Sequence, residues 1–156
     1  MEPHARRHEA APWVLVVDDD SLAARSAARL INGAIGVRVA VVSGVEQALR
    51  LVTRADHPPV AAVLDYDLSG GEKGLSVLLS LRAAGYEVPC AFHTGAAEEA
   101  HSALRKSRLE DGYPVFDKGR ARPGELVTWL RDRLVGQGGT PEIDSSHRSG
   151  IREKLA

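Results

Sequence analysis

Five short apolar runs, separated by stretches of helical period, restrict what this chain can fold into more than any other feature. They are Trp13 to Val17, Val37 to Val42, Val60 to Leu64, Val88 to Phe92 and Tyr113 to Phe116. Each has the length of a buried β-strand and is too short for a core helix. Between them, Val45, Ala48, Leu49 and Val52 recur at i, i+3, i+4 and i+7, which places them on one face of a helix. Leu22, Ser26, Leu30 and Ile31 mark an earlier helix ending near Gly33, and Leu75, Leu78, Leu79 and Arg82 a later one stopped at Ala84-Gly85. Leu126, Trp129, Leu130 and Leu134 mark the last, opened by Pro123 and closed by Gly136. A segment from Ala96 to Lys106 offers only Ala97, Ala100 and Leu104 for burial, so it is expected to be the least firmly packed helix. Strands alternating with helices in this way predict an α/β fold, a parallel sheet covered by helices on both faces.

The polar residues that close these runs are the candidate chemistry. The first run ends in Asp18-Asp19-Asp20, the third in Asp65, the fourth in His93-Thr94-Gly95 and the fifth in Asp117-Lys118-Gly119. In an open α/β sheet, ligands bind beyond the carboxyl ends of the strands, so groups that terminate separate strands converge. Clustered carboxylates repel unless a cation lies among them, and hard oxygen ligands suit magnesium. Asp20, followed by Ser21-Leu22, reads instead as a helix N-cap. Lys118 and Thr94 add a fixed positive charge and a hydroxyl, the groups that hold a phosphoryl oxygen during transfer. An Asp between them could serve as the nucleophile that forms an acyl phosphate.

Charge narrows the partners. With 20 basic and 21 acidic side chains in 156 residues, nothing points to a nucleic-acid or membrane surface. A single cysteine, Cys90, has no internal disulfide partner and sits in an apolar run as a small hydrophobe, which suits a reducing compartment. No segment has the length of a membrane span and the first residues lack the apolar core of a secretion signal, so the expected location is cytoplasmic. The expected organisation is a short polar segment at 1–12, one domain at 13–135, and a flexible tail at 136–156 without an output domain. His4, His8, His57, His101 and His147 read as surface residues, and the face taken by His93 is left open.

These motifs resemble the receiver domains of two-component response regulators, over about Val14 to Val135. Val-Val-Asp18-Asp19-Asp20 resembles the acidic pair after the first strand, and Val-Leu-Asp65-Tyr-Asp67-Leu the phosphoacceptor strand. Phe-His-Thr94-Gly resembles the strand with the switch hydroxyl, and Phe-Asp-Lys118 the lysine after the fifth strand. The resemblance implies a flavodoxin-like, doubly wound (βα)5 sheet in the order 2-1-3-4-5. It implies that Asp65 takes the phosphoryl group, that Asp19 binds Mg2+ directly and Asp18 mainly through water, and that the backbone carbonyl of Asp67 completes the protein ligands. Lys118 would pair with Asp65 before phosphorylation and with a phosphoryl oxygen afterwards, and Thr94 would move in to bind another. The donor would be a sensor histidine kinase or a histidine phosphotransfer protein, and the signal would pass to a downstream protein or to a second copy of the chain. The protein would then be a signalling phosphoacceptor with magnesium-dependent self-phosphorylation and autodephosphorylation rather than a metabolic enzyme.

The sequence departs from that pattern in three places. Gly119 stands where a proline commonly follows the lysine, which predicts a looser lysine loop. Val115 stands where many members carry an aromatic that rotates with the hydroxyl. The loop Leu68-Ser69-Gly70-Gly71-Glu72-Lys73-Gly74 is one residue longer than the common form and lacks its proline, a feature similar to receivers associated with hybrid kinases. Two alternatives remain open at this point. One is a pseudo-receiver that binds partners without phosphotransfer. The other is a haloacid-dehalogenase-type phosphatase, since Asp65-Tyr66-Asp67-Leu68-Ser69 also resembles that nucleophile loop. Against the phosphatase, its acidic metal pair normally comes late in the chain, whereas here the pair comes first.

Overall fold

The structure is a computed structural model that describes residues 11–120 and 122–138. The expected segment at 1–12 lies outside it apart from its last two residues, and so does the tail beyond residue 138. The elements are β1 (Trp13–Val17), α1 (Ser21–Ile35), β2 (Arg38–Val42), α2 (Val45–Arg54), β3 (Ala61–Leu64), α3 (Gly74–Ala83), β4 (Cys90–Thr94), α4 (Ala97–Lys106), β5 (Val115–Asp117) and α5 (Pro123–Gly138), with a 3-10 turn at Ser69–Gly71. All strand pairings are parallel and the sheet order is β2-β1-β3-β4-β5, as the resemblance implied.

Alternating strand side chains divide the core into two layers. Leu15, Val17, Leu64 and Phe92 pack with Val52, Leu78, Leu81 and Leu104 on the face covered by α2, α3 and α4. Val14, Val16, Val63 and Ala91 pack with Ile31, Leu126 and Leu130 beneath α1 and α5. Every residue of β1 and β3 is buried, because both are interior strands with helices on either side. Burying a large side chain of this kind is worth about 1.5–3 kcal/mol.

Some boundaries differ from the sequence reading, each for a local reason. The fourth strand runs from Cys90 to Thr94 rather than Val88 to Phe92. Pro89 has no N–H to give the ladder, and at the other end His93 and Thr94 pair with Phe116 and Asp117 although both are polar. Helix α1 passes Gly33 and stops at Gly36, the glycine that takes a left-handed conformation at φ 77° and donates to the Asn32 carbonyl. The buried face of α1 is Ala24, Ala27 and Ile31, while Leu22 is 74% exposed. Leu79 also faces outward, and α5 continues through Gly136 to Gly138. Among the described residues no helix is long and apolar enough to cross a membrane.

Candidate functional site

The acids stand at the point where the sheet changes direction. From β1 the chain crosses to β2 on one side and then to β3 on the other, so the carboxyl ends of β1 and β3 flank an open crevice. The next residues along those strands are Asp18 and Asp65, whose N–H groups continue the sheet by donating to the carbonyls of Val42 at 3.1 Å and Val17 at 2.8 Å. Asp18 is 6% exposed, and its Oδ1 accepts the N–H of Asp20 at 3.0 Å. Asp20 itself caps α1, accepting from the N–H groups of Leu22 and Ala23, as its sequence context indicated.

Lys118, one residue past β5, closes the site. Its Nζ donates to Asp18 Oδ2 at 2.7 Å and to Asp65 Oδ2 at 3.2 Å. The charge logic of the site follows from burial. Desolvation acts on Asp18 more strongly than the lysine hydrogen bond does, so its carboxyl is held above the usual range. Desolvation also opposes the Lys118 ammonium, but its hydrogen bonds and charge interactions with the two carboxylates prevail and raise it.

Carboxylate oxygens of Asp18, Asp19 and Asp65 lie within 4.8 Å of one another. Three carboxylates therefore face one ammonium, an excess of negative charge that a divalent cation would neutralise. Magnesium–oxygen distances of about 2.1 Å place opposite ligands roughly 4.2 Å apart, so this donor set fits the ion with only small adjustment. A shallow cleft of about 370 Å³ opens beside Asp18 and Asp19, towards Arg25 of α1 and Ser43 and Gln47 at the start of α2. A larger cleft, about 530 Å³, lies on α4 among Glu98, His101 and Arg105, away from the acids.

Thr94 is fully buried at the end of β4. Its Oγ1 accepts the N–H of Ala96 at 3.1 Å and so holds the start of α4, while its carbonyl accepts the N–H of Lys118 at 2.9 Å. His93 follows Ala91 at strand spacing towards the α1 and α5 layer. Desolvation, followed by the charge of Lys118, keeps its imidazole below the ordinary value against the opposing charge of Asp65. Asp67, two residues after Asp65, is directed elsewhere: its Oδ1 accepts from Lys73 Nζ at 2.6 Å, and the two residues form an antiparallel bridge at the base of the β3–α3 loop.

Several positions that matter here escaped sequence reasoning. A Cβ at Gly74 would sit 2.0 Å from the Asp65 carbonyl oxygen, so only glycine lets α3 begin against the end of β3. Asp117 Oδ1 accepts the N–H of Gly119 at 2.8 Å, which tightens the lysine loop that lacks proline. Ser69 Oγ donates to Asp19 Oδ2 across the crevice, and Glu72 Oε1 accepts the N–H of Val45 at 3.3 Å. The Asp-x-Gly spacing at Asp117 was the one local signal available for these contacts. The contacts of Ser69 and Glu72 join residues far apart in sequence and leave no such trace.

Residues 14–110 match the family model described as the response regulator receiver domain. Among solved structures, a sensor protein from Polaromonas sp. JS666 is similar at 20% identity and a TM-score of 0.67, covering 80% of this chain and 97% of its own. A response regulator receiver protein from Pseudoalteromonas atlantica is similar at 17% identity and 0.65, covering 80% and 98%. A CheY-like receiver domain protein from Methanospirillum hungatei JF-1 is similar at 19% identity and 0.65, covering 82% and 97%. No curated protein matches the chain.

Proposed function

Because the chain belongs to the response regulator receiver family of two-component signalling, we propose that it accepts a phosphoryl group on Asp65 from a phosphohistidine of a sensor kinase or histidine phosphotransfer protein. Its output is then a phosphorylation-dependent change of shape read through protein–protein contacts. The observation that carries this reading is the Lys118 ammonium bridging Asp18 and Asp65 at the mouth of the crevice, beside the third carboxylate of Asp19.

In the transfer step a carboxylate oxygen of Asp65 attacks phosphorus in line with the leaving imidazole nitrogen. The N–P bond breaks, the O–P bond forms, and the imidazole, already protonated on its other ring nitrogen, leaves as the neutral ring. Lys118 already lies within hydrogen-bond reach of Asp65 and follows the negative charge as it moves onto the phosphoryl oxygens. Asp18, Asp19, Asp65 and the Asp67 carbonyl would hold Mg2+, which when bound supplies charge neutralisation at the same oxygens. Thr94 lies at the end of the neighbouring strand, where its hydroxyl can exchange the Ala96 N–H for a phosphoryl oxygen.

Phosphoramidate, a small N–P donor, tests the reading. Incubation with MgCl2 should add one labile phosphoryl group to the wild type by intact mass and none to Asp65→Asn. A folded wild type that stays unmodified, or an Asp65→Asn variant that is modified equally, would refute it.

A further inference from the structure

The β3–α3 loop reaches across the crevice and ends on Asp19, a contact that the phosphotransfer reading does not use. Lys118 bonds to Asp18 and Asp65, whereas Asp19 receives the Ser69 hydroxyl at its Oδ2. The loop that presents Ser69 is anchored independently of that hydroxyl. At its base, Asp67 and Lys73 form a backbone bridge, Leu68 N–H donates to the Glu72 carbonyl at 2.9 Å, and Gly74 N–H donates to the Tyr66 carbonyl at 2.6 Å. At its far side, Glu72 Oε1 accepts the N–H of Val45 at the start of α2. Between these anchors Gly70 and Gly71 take φ of 73° and 81°, a reversal that side-chain-bearing residues resist.

We infer that Ser69 is a positioning residue of the cation site: its hydroxyl holds one oxygen of Asp19 and leaves the other directed at the metal position. This rests on reading Asp18, Asp19 and Asp65 as the Mg2+ site. Three carboxylates crowded together turn away from one another unless each is held. Lys118 holds two, and Ser69 holds the third. A hydrogen-bond donor behind a metal-ligating carboxylate fixes its orientation before the ion arrives, and losing such a donor weakens metal binding by on the order of tenfold. Metal binding is thereby tied to the loop, because an ion on Asp19 strengthens the same clasp that Ser69 closes.

The test is calorimetric titration of the full chain with MgCl2, for wild type, Ser69→Ala, Ser69→Thr and Asp19→Asn. Ser69→Ala should raise the dissociation constant about tenfold, and Ser69→Thr, which keeps the hydroxyl, should return it close to the wild-type value. Amide exchange across residues 68–74 should slow with Mg2+ in the wild type and respond much less in Ser69→Ala. Unchanged or tighter binding by Ser69→Ala, with binding lost in Asp19→Asn, would overturn the role of Ser69 while leaving the cation site standing. Unchanged binding by Asp19→Asn would overturn the site reading, and the proposal with it.

Discussion

Asp117 supplies the restraint on Lys118 that a following proline would otherwise give through its ring. Its carboxylate accepts the Gly119 N–H, which a proline at 119 could not donate, and the Lys118 N–H is fixed separately on the Thr94 carbonyl. The looser loop expected from Gly119 is therefore offset by a side chain two residues upstream. Losing a hydrogen bond of this kind costs about 1 kcal/mol, so Asp117→Ala should slow phosphorylation by phosphoramidate about fivefold. Asp117→Asn, which keeps the acceptor, should stay near wild type, and an unslowed Ala variant would contradict the role. Asp67 poses a different problem. Its ion pair with Lys73 is solvent-exposed on both sides and weakened by screening, so the carboxylate can turn towards water attacking a phosphorylated Asp65. Asp67→Asn should change the dephosphorylation rate severalfold without altering Mg2+ affinity, because the backbone carbonyl remains. Identical decay of the phosphorylated forms would discard the idea.

At the scale of elements, α4 is the segment best placed to report phosphorylation. Only Ala100 and Leu104 of its ten residues are fully buried, and it has no side-chain N-cap of its own. The Thr94 hydroxyl, two residues before Ala96, holds its first turn instead. Movement of that hydroxyl to donate to a phosphoryl oxygen would free the Ala96 N–H and would shift the population of α4 and its flanking loops. Val115 lies beside Phe92 in the sheet and lacks the ring for an aromatic rotation, which leaves the start of α4 as the proposed route. Amide exchange between residues 94 and 120 should therefore change on adding beryllofluoride and Mg2+; an unchanged pattern would rule out this route. The existence of α4 and its thin core were legible in Ala97, Ala100 and Leu104. The capping role of Thr94 was not, because it depends on which rotamer a buried hydroxyl adopts. In α1 the inward face sets Ala24 and Ala27, which allow close approach to the sheet, beside Ile31, while the larger Leu22 lies outside. Strand limits were misread at β4 because backbone pairing with β5 continues through polar His93 and Thr94.

Across the whole molecule, the strand order brings the ends of β1, β3, β4 and β5 to one rim, and the acids, hydroxyl and ammonium were legible because each lies within two residues of the end of an apolar run. The opposite end of the sheet carries a different consequence. Cys90 opens β4, is buried, and donates its thiol to the Val88 carbonyl at 3.2 Å; burial pushes the thiol up to about 12 from 9.0. A raised native value means the contribution is fully present below pH 9.0 and is lost as pH rises towards 12, since the unfolded chain ionises first. Thermal stability should therefore begin to fall above pH 9, and Cys90→Ala should remove the first part of that slope; an equally steep slope in the variant would exclude the thiol as its source. Lys118, also raised, contributes a later loss above its ordinary 10.5. Phosphorylation is proposed for one carboxylate among several neighbours, and borohydride distinguishes them by reducing an aspartyl phosphate to homoserine. Wild-type protein treated with phosphoramidate and Mg2+, reduced and mapped by peptide mass should carry homoserine at position 65 alone. Homoserine at 18, 19 or 67 instead would rule out Asp65 as the phosphoacceptor.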